Sequence, residues 1–170
     1  MNYWIIYGIL SATFWGVYTI FSKVLTSEKY LKVGTETSAL FMLLGIMVVF
    51  ASYFLIKANL ETNLKIIASV LVLVVFIFFL FCITKTGIVL TPQIIFFGLG
   101  QGALWALGMV FTFLAFKSGA EAAKLVPLYN TNTLIAILIG IIFLNEVPDE
   151  KIKIIAGGSL IIIGGILISN

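Results

Sequence analysis

The chain has 170 residues, of which 62% are hydrophobic and only 10% charged, and its mean hydropathy is +1.21. Because soluble domains carry about 25% charged residues, this composition excludes an ordinary water-soluble domain. The formal net charge is only +3 and every basic residue is lysine, so we expect no nucleic-acid partner. The charges lie in short clusters between long uncharged runs, and a bilayer core needs about 20 apolar residues of helix. We therefore expect the lipid bilayer to surround most of the chain.

The uncharged runs predict an all-α fold, a polytopic transmembrane helix bundle of about six spans. No linker-like segment divides the runs, which indicates a single transmembrane domain over residues 1–170. The predicted spans, in chain order, are 3–22, 37–56, 66–84, 93–116, 121–144 and 152–168.

The first span carries two stripes of residues. Small residues at four-residue spacing, which let another helix backbone approach closely, are Gly8, Ala12 and Gly16. Polar-tipped side chains on a neighbouring face are Tyr7, Ser11, Trp15, Tyr18 and Ser22. Because polar side chains inside a membrane avoid lipid, we expect this second stripe to face protein or a water-filled cavity.

The second and third spans contain few polar atoms, so we expect them to face lipid, with 66–84 at the periphery. The third span holds Cys82, which is the single cysteine of the chain and therefore cannot form an intrachain disulfide. With no histidine and no second cysteine, a zinc or haem site lacks ligands, and we expect no cofactor.

The fourth span has residues typical of helix termini at both ends and polar side chains near its centre. Thr91 and Pro92 are typical of a helix cap and first turn, and Gly119 is typical of the position just after a helix. Gln101 and Trp105 lie one turn apart among glycines that bring neighbouring helices close. A glutamine in this position needs a hydrogen-bond partner.

The fifth span, 121–144, combines a proline with four consecutive polar residues at 130–133. Pro127 removes a backbone donor and frees the carbonyl of Ala123, so we expect a helix break there. Asn130 and Thr133 share a face and are candidates for a neutral substrate site. Hydrogen bonding between helices, worth about 0.6 kcal/mol for each such contact, is the alternative and stays open.

The last run follows Pro148 and two acidic residues, which are typical of a helix start. Its paired glycines indicate close helix packing and little chemistry. Glu121 and Glu146, at the two ends of the fifth span, are expected to act as helix-end or ion-pair residues.

Three short motifs, each weak alone, occur in order along the chain. The first helix has a W-G…K pattern, the region before and within the fifth span has alanines followed by L-x-P and a final Glu, and the last helix is rich in glycine. Their residues are Phe14, Trp15, Gly16 and Lys23; Ala115, Gly119, Ala120, Ala123, Leu125, Pro127 and Glu146; and Ala156, Gly157, Ile163, Gly164 and Gly165. This combination resembles a single repeat of the EamA-type transporter family, in the drug/metabolite transporter superfamily. The family repeat usually has five helices, so the 66–84 run is the added one.

The resemblance implies a multi-pass transporter of the cell membrane that moves a small polar metabolite by alternating access, as a uniporter or exchanger. We expect the small-molecule substrate between the first, fourth and fifth spans. The candidate substrate-binding residues are Trp15, Tyr18, Gln101, Trp105, Asn130 and Thr133, behind the helix-breaking Pro127. Two alternatives stay open: a non-transporting membrane subunit or scaffold, and an exporter coupled to an ion gradient.

Apart from Glu121 at the start of the fifth span, the spans contain no Asp, Glu, His or Arg. Proton-coupled antiport needs a buried group to carry the proton, so it is disfavoured unless Glu121 or Glu146 is drawn inward. Paired carboxylates and Ser/His or Cys/His sets are also absent, so we expect no enzyme. The lysines divide six to four between alternate loops, which leaves the orientation open. Such a balance permits insertion both ways, and an antiparallel homodimer is one hypothesis.

Overall fold

A computed structural model describes residues 2–57, 62–146 and 149–169. All secondary structure in these residues is helical, with no strand, which confirms the all-α prediction. The helices are α1 (Tyr3–Thr26), α2 (Thr35–Lys57), α3 (Thr62–Thr86), α4 (Pro92–Lys117), α5 (Ala122–Tyr129), α6 (Asn132–Leu144) and α7 (Lys151–Ser169).

Length and composition allow five of these segments to cross a membrane: α1, α2, α3, α4 and the combined stretch Ala122–Leu144. The apolar part of α7, Ile152–Leu167, is shorter. The chain is therefore a polytopic membrane protein, and the 66–84 run lies in a helix long enough to span. The expected helix start at Pro148 falls outside the described residues.

Both predicted ends of α4 are confirmed. The Ile94 N–H donates to the Thr91 hydroxyl oxygen at 3.3 Å, which caps the first turn. At the other end Gly119 has φ +90°, a left-handed conformation that glycine adopts without strain. The Ala120 N–H then returns to the Ala115 carbonyl at 3.1 Å and closes the helix.

The contacts divide the chain into two compact units, a terminal unit (residues 1–20 and 107–170) and a central unit (residues 21–106). The unit boundaries lie inside α1 and α4, not at a linker. The expectation of one transmembrane domain stays a prediction.

The central unit is held together by an apolar core and by a glycine contact between α2 and α4. A Cβ added at Gly102 would collide with the Met42 carbonyl, and one added at Gly45 would collide with the Leu99 carbonyl. Only glycine permits this backbone approach, which confirms that the α4 glycines serve packing. The buried core consists of Leu25, Val33, Phe41, Leu44, Phe79, Ile83 and Ile94.

Most large side chains of α3 are uncovered by other parts of the chain, including Leu73, Ile77 and Phe81. Its buried residues are Phe79 and Ile83. Such a helix presents most of its surface to lipid, in agreement with the expected peripheral position.

In the terminal unit, the small-residue stripe of α1 packs against α5 and α6. A Cβ at Gly8 would lie 2.6 Å from the Leu128 side chain, and one at Gly16 would lie 2.7 Å from Ile135. Ala12, between them, is only 1% exposed. The stripe therefore lets α5 and α6 pack closely against α1, as its four-residue spacing predicts.

Candidate functional site

The predicted fifth span is two helices, because α5 ends at Tyr129 and α6 begins at Asn132. The intervening Asn130 (φ −67°, ψ −9°) and Thr131 (φ −63°, ψ −6°) keep right-handed helical dihedrals, so the chain tightens but does not unwind. We call residues 127–133 the polar turn.

Two backbone hydrogen bonds in the polar turn join residue i to residue i−3, whereas those of an α-helix join residue i to residue i−4. The Thr131 N–H donates to the Leu128 carbonyl at 3.2 Å, and the Thr133 N–H donates to the Asn130 carbonyl at 3.3 Å. This is the 3₁₀ pattern, which often marks a functional or strained point in a helix. The Thr131 hydroxyl reinforces it by donating to the Leu128 carbonyl at 2.7 Å.

The shifted pattern deprives two carbonyls of their usual donors, because the N–H groups of Thr131 and Thr133 bond elsewhere. These carbonyls belong to Pro127 and Tyr129. The sequence predicted a freed carbonyl only at Ala123, whose donor is absent because Pro127 has no N–H. A run of Asn and Thr, whose side chains compete for nearby backbone groups, is the signal that could have indicated the other two.

The Asn130 side chain is exposed, and it makes no hydrogen bond to any residue that the structure describes. Asn130 lies about 12 Å along the helix from Ala122, at 1.5 Å per residue. If Ala122–Leu144 crosses the bilayer, this carboxamide therefore lies within its hydrocarbon region. An amide without hydrogen bonds there costs about 2–7 kcal/mol, so it needs a partner from outside the described residues.

Thr133, the predicted companion of Asn130, is also exposed. Its hydroxyl donates to the side-chain carbonyl of Asn132 at 3.3 Å. The Asn132 backbone carbonyl in turn faces Gly16 of α1, 2.9 Å from where a Cβ on that glycine would lie. Asn132 thus contributes to packing with its backbone, and Thr133 remains on the uncovered side.

Trp15 lies beside the polar turn. Its rings meet Tyr129 edge to face, with centroids 4.9 Å apart and an interplanar angle of 83°. The indole also covers Gly108 of α4, where any larger residue would collide with it. The terminal unit therefore brings one predicted site residue, Trp15, against Tyr129 of the polar turn. Tyr18, one turn further along α1, is half-buried.

Ser11, in the same polar stripe of α1, is fully buried. The hydroxyls of Ser11 and Thr112 lie 2.8 Å apart, and both reach the Gly108 carbonyl, at 2.9 and 3.0 Å. This part of the stripe faces protein, as expected, and it joins α1 to α4 within the terminal unit.

Gln101 belongs to the central unit and is 2% exposed. Its carboxamide oxygen accepts from the Ser22 hydroxyl at 2.8 Å. Its nitrogen donates to the Ser38 carbonyl at 2.9 Å and lies 3.0 Å from the Ser38 hydroxyl. The expectation that Gln101 must find a partner is confirmed, and its partners come from the chain itself. A role for Gln101 or the half-buried Trp105 in substrate binding stays a prediction.

An apolar groove of about 300 Å³ runs between the polar turn and α7. One polar side chain lines it, that of Thr131, whose hydroxyl already donates to the Leu128 carbonyl. The lining residues are Leu128, Thr131, Leu134, Ile162, Gly165 and Ile166.

The acidic residues at the ends of this span belong to helix termini. Glu121 is exposed at the N-cap of α5 without a side-chain cap bond. At the other end Asn145 adopts φ +51°, and the Glu146 N–H donates to the Gly140 carbonyl at 3.1 Å.

Comparisons with protein-family models, curated proteins and solved structures find no match. The resemblance to EamA-type transporters therefore rests on the sequence motifs and stays a prediction. Composition and helix lengths identify the chain as a polytopic, all-α membrane protein.

Proposed function

We propose that this protein transports a small polar metabolite across the cell membrane by alternating access, as a uniporter or exchanger. One observation carries the proposal: the Asn130 carboxamide is uncovered and unpaired within the described chain, at a helix interruption inside a candidate span. Transporters commonly hold their substrates at interrupted membrane helices, where backbone carbonyls are available.

The chemistry of the polar turn favours an uncharged solute. The Asn130 side chain offers two donors and one acceptor, and the carbonyls of Pro127 and Tyr129 offer further acceptors. No ionisable side chain occurs within 127–133 apart from the phenol of Tyr129. A solute bearing hydroxyl or amide groups would satisfy these atoms without a counter-ion, and the Trp15–Tyr129 pair supplies an aromatic wall beside them.

The rival is a non-transporting membrane subunit, in which Asn130 bonds a second protein. Ser11 and Gln101 support it in part, because this chain does use buried polar side chains to join helices. An exporter driven by an ion gradient has less support where the ion is a proton, since the polar turn contains no carboxylate to carry it.

Flux into proteoliposomes tests the proposal, with labelled amino acids, sugars and nucleosides as probes. We expect one of these classes to enter and Asn130→Ala to slow that entry about tenfold, since one lost hydrogen bond of 1.4 kcal/mol gives that factor. Ser52→Ala is the control, because Ser52 is an exposed hydroxyl that bonds only its own helix, at the Val48 carbonyl. Absence of flux for every class, or unchanged flux in Asn130→Ala, would support the rival.

A further inference from the structure

The groove of about 300 Å³ lies between the polar turn and α7. Small-molecule sites typically measure about 300–1,000 Å³ and combine an apolar lining with a few placed polar groups. The one polar side chain that lines the groove is Thr131, whose hydroxyl donates to the Leu128 carbonyl and so can only accept from a ligand. A polar group of a ligand that needs both a donor and an acceptor must therefore find a further partner beside the groove.

Asn130 is placed to hold that group. It directly precedes Thr131 and lies four residues before Leu134, and both of these residues line the groove. Residues four apart are neighbours on an α-helix, and the dihedrals at Asn130 and Thr131 stay right-handed while the chain tightens toward 3₁₀ geometry. The Asn130 carboxamide, which no described residue bonds, therefore adjoins the groove residues along the chain without being one of them.

We infer that the solute is amphipathic, with a neutral hydroxyl or amide group bonded at Asn130 and an alkyl or aryl part in the groove. This inference rests on the proposed function and narrows its substrate class. A freely water-soluble metabolite would use Asn130 but leave the groove without a role. Neither the groove lining nor residues 127–133 contain Asp, Glu, Lys, Arg or His, so these residues cannot hold a head group of either charge by ion pairing.

Gly165 keeps the groove open. A Cβ added there would lie 3.4 Å from the Thr131 methyl group and 3.9 Å from the Pro127 carbonyl oxygen, which is ordinary van der Waals contact. A larger side chain at this position can therefore fold in place and fill the groove. The neighbouring Gly164 offers a matched control on the same helix, because a Cβ there would meet nothing within 4 Å.

The test measures binding to the full chain in lipid nanodiscs by equilibrium dialysis. The probes are methyl and hexyl β-D-glucoside, and acetamide and heptanamide, so that each head group carries a short and a long tail. We expect Gly165→Leu to weaken binding of the long-tailed probe at least tenfold and to leave its short-tailed partner within twofold. Gly164→Leu should change neither. Comparison between variants cancels partition of the tails into the bilayer, because the lipid is the same.

Asn130→Ala separates this inference from the proposed function, because it should weaken the short and long probes of one head group alike. Equal binding of long-tailed probes to Gly165→Leu and the parent would overturn the inference and assign the groove to bilayer acyl chains. The proposed function would survive if proteoliposome flux still depends on Asn130. Failure of the parent to bind any of the four probes would also overturn the inference, with the flux assay again deciding the function separately. If Gly165→Leu melts differently from the parent, Gly165→Ala takes its place, with an expected loss of a few-fold.

Discussion

Two carboxamides inside candidate membrane spans, Gln101 in the central unit and Asn130 in the terminal unit, have opposite surroundings. Gln101 is 2% exposed, and the chain supplies partners for both its oxygen and its nitrogen. Asn130 is exposed, and no described residue bonds its side chain. The same chemical group therefore joins helices at one position and stays available at the other. This difference separates packing from candidate function more sharply than residue type does.

The surroundings explain the contrast. Glycines at the α2–α4 crossing let backbones meet, and Ser38 of α2 can then reach Gln101 of α4, while Ser22 reaches it from α1. At the polar turn, α1 contacts the backbone of Asn132 instead, and the Asn130 side chain is exposed. Substitutions at each position test whether Gln101 joins helices and whether Asn130 does not.

The largest loss of unfolding free energy is expected for a substitution at the α2–α4 crossing. Gly102→Ile would drive a branched side chain into the Met42 carbonyl, and overpacking of this kind costs about 3 kcal/mol of unfolding free energy or more. Titration with SDS, followed by circular dichroism, measures the loss. Gly157→Ile is the control, because a Cβ there meets nothing within 4 Å. Equal stability of the two variants would remove the basis for close α2–α4 packing.

The second-largest loss of unfolding free energy is expected for a substitution of Gln101. Gln101→Leu removes the partner of Ser22 and Ser38 and should lower the free energy of unfolding by about 2 kcal/mol, because buried polar groups are left unpaired. Gln93→Leu, at an exposed position in the first turn of the same helix, should change it by less than about 0.5 kcal/mol. A neutral Gln101→Leu would instead favour a role for Gln101 outside packing.

A smaller loss is expected at Ser11. Ser11→Ala deletes a hydroxyl that reaches the Gly108 carbonyl and Thr112, but Thr112 keeps its own bond to that carbonyl at 3.0 Å. The loss of unfolding free energy should therefore be about 1 kcal/mol. The control is Thr13→Val, which alters an exposed hydroxyl bonded within its own helix. A Ser11→Ala variant as stable as the control would contradict a packing role.

The smallest effect on stability is expected at the candidate site. Asn130→Leu should lower the unfolding free energy of the ligand-free protein by no more than about 0.5 kcal/mol, because it breaks no side-chain bond within the described chain. In a bilayer the variant should be at least as stable as the parent, since leucine needs no partner there. A loss as large as that of Gln101→Leu would show that Asn130 also joins helices.

Sequence patterns predicted the local features of this fold well. The cap at Thr91, the left-handed Gly119 and the packing of the Gly8–Gly16 stripe all follow from residue type and spacing. These features depend on neighbours within a few residues, or on small size alone.

The features that the sequence left open depend on distant partners or on fine geometry. Gln101 bonds residues 63 and 79 positions away, and spacing cannot identify such partners. The helix interruption lies at Asn130–Thr131, three residues beyond Pro127, and it arises from a change of bonding pattern that apolar periodicity does not record. The sequence predicted the break at Pro127, which lies inside α5, and it indicated neither the interruption at Asn130–Thr131 nor the two carbonyls that this interruption frees.

The most direct test of the contrast is thermal unfolding in nanodiscs, with and without the solute that proteoliposome flux identifies. At 100 times its dissociation constant that solute should stabilise the parent by about 2.7 kcal/mol. We expect Gln101→Leu to melt earlier than the ligand-free parent but to keep this gain, and Asn130→Leu to melt no earlier than the ligand-free parent but to lose the gain. The reverse pattern, in which Asn130→Leu keeps the gain and Gln101→Leu loses it, would contradict the account.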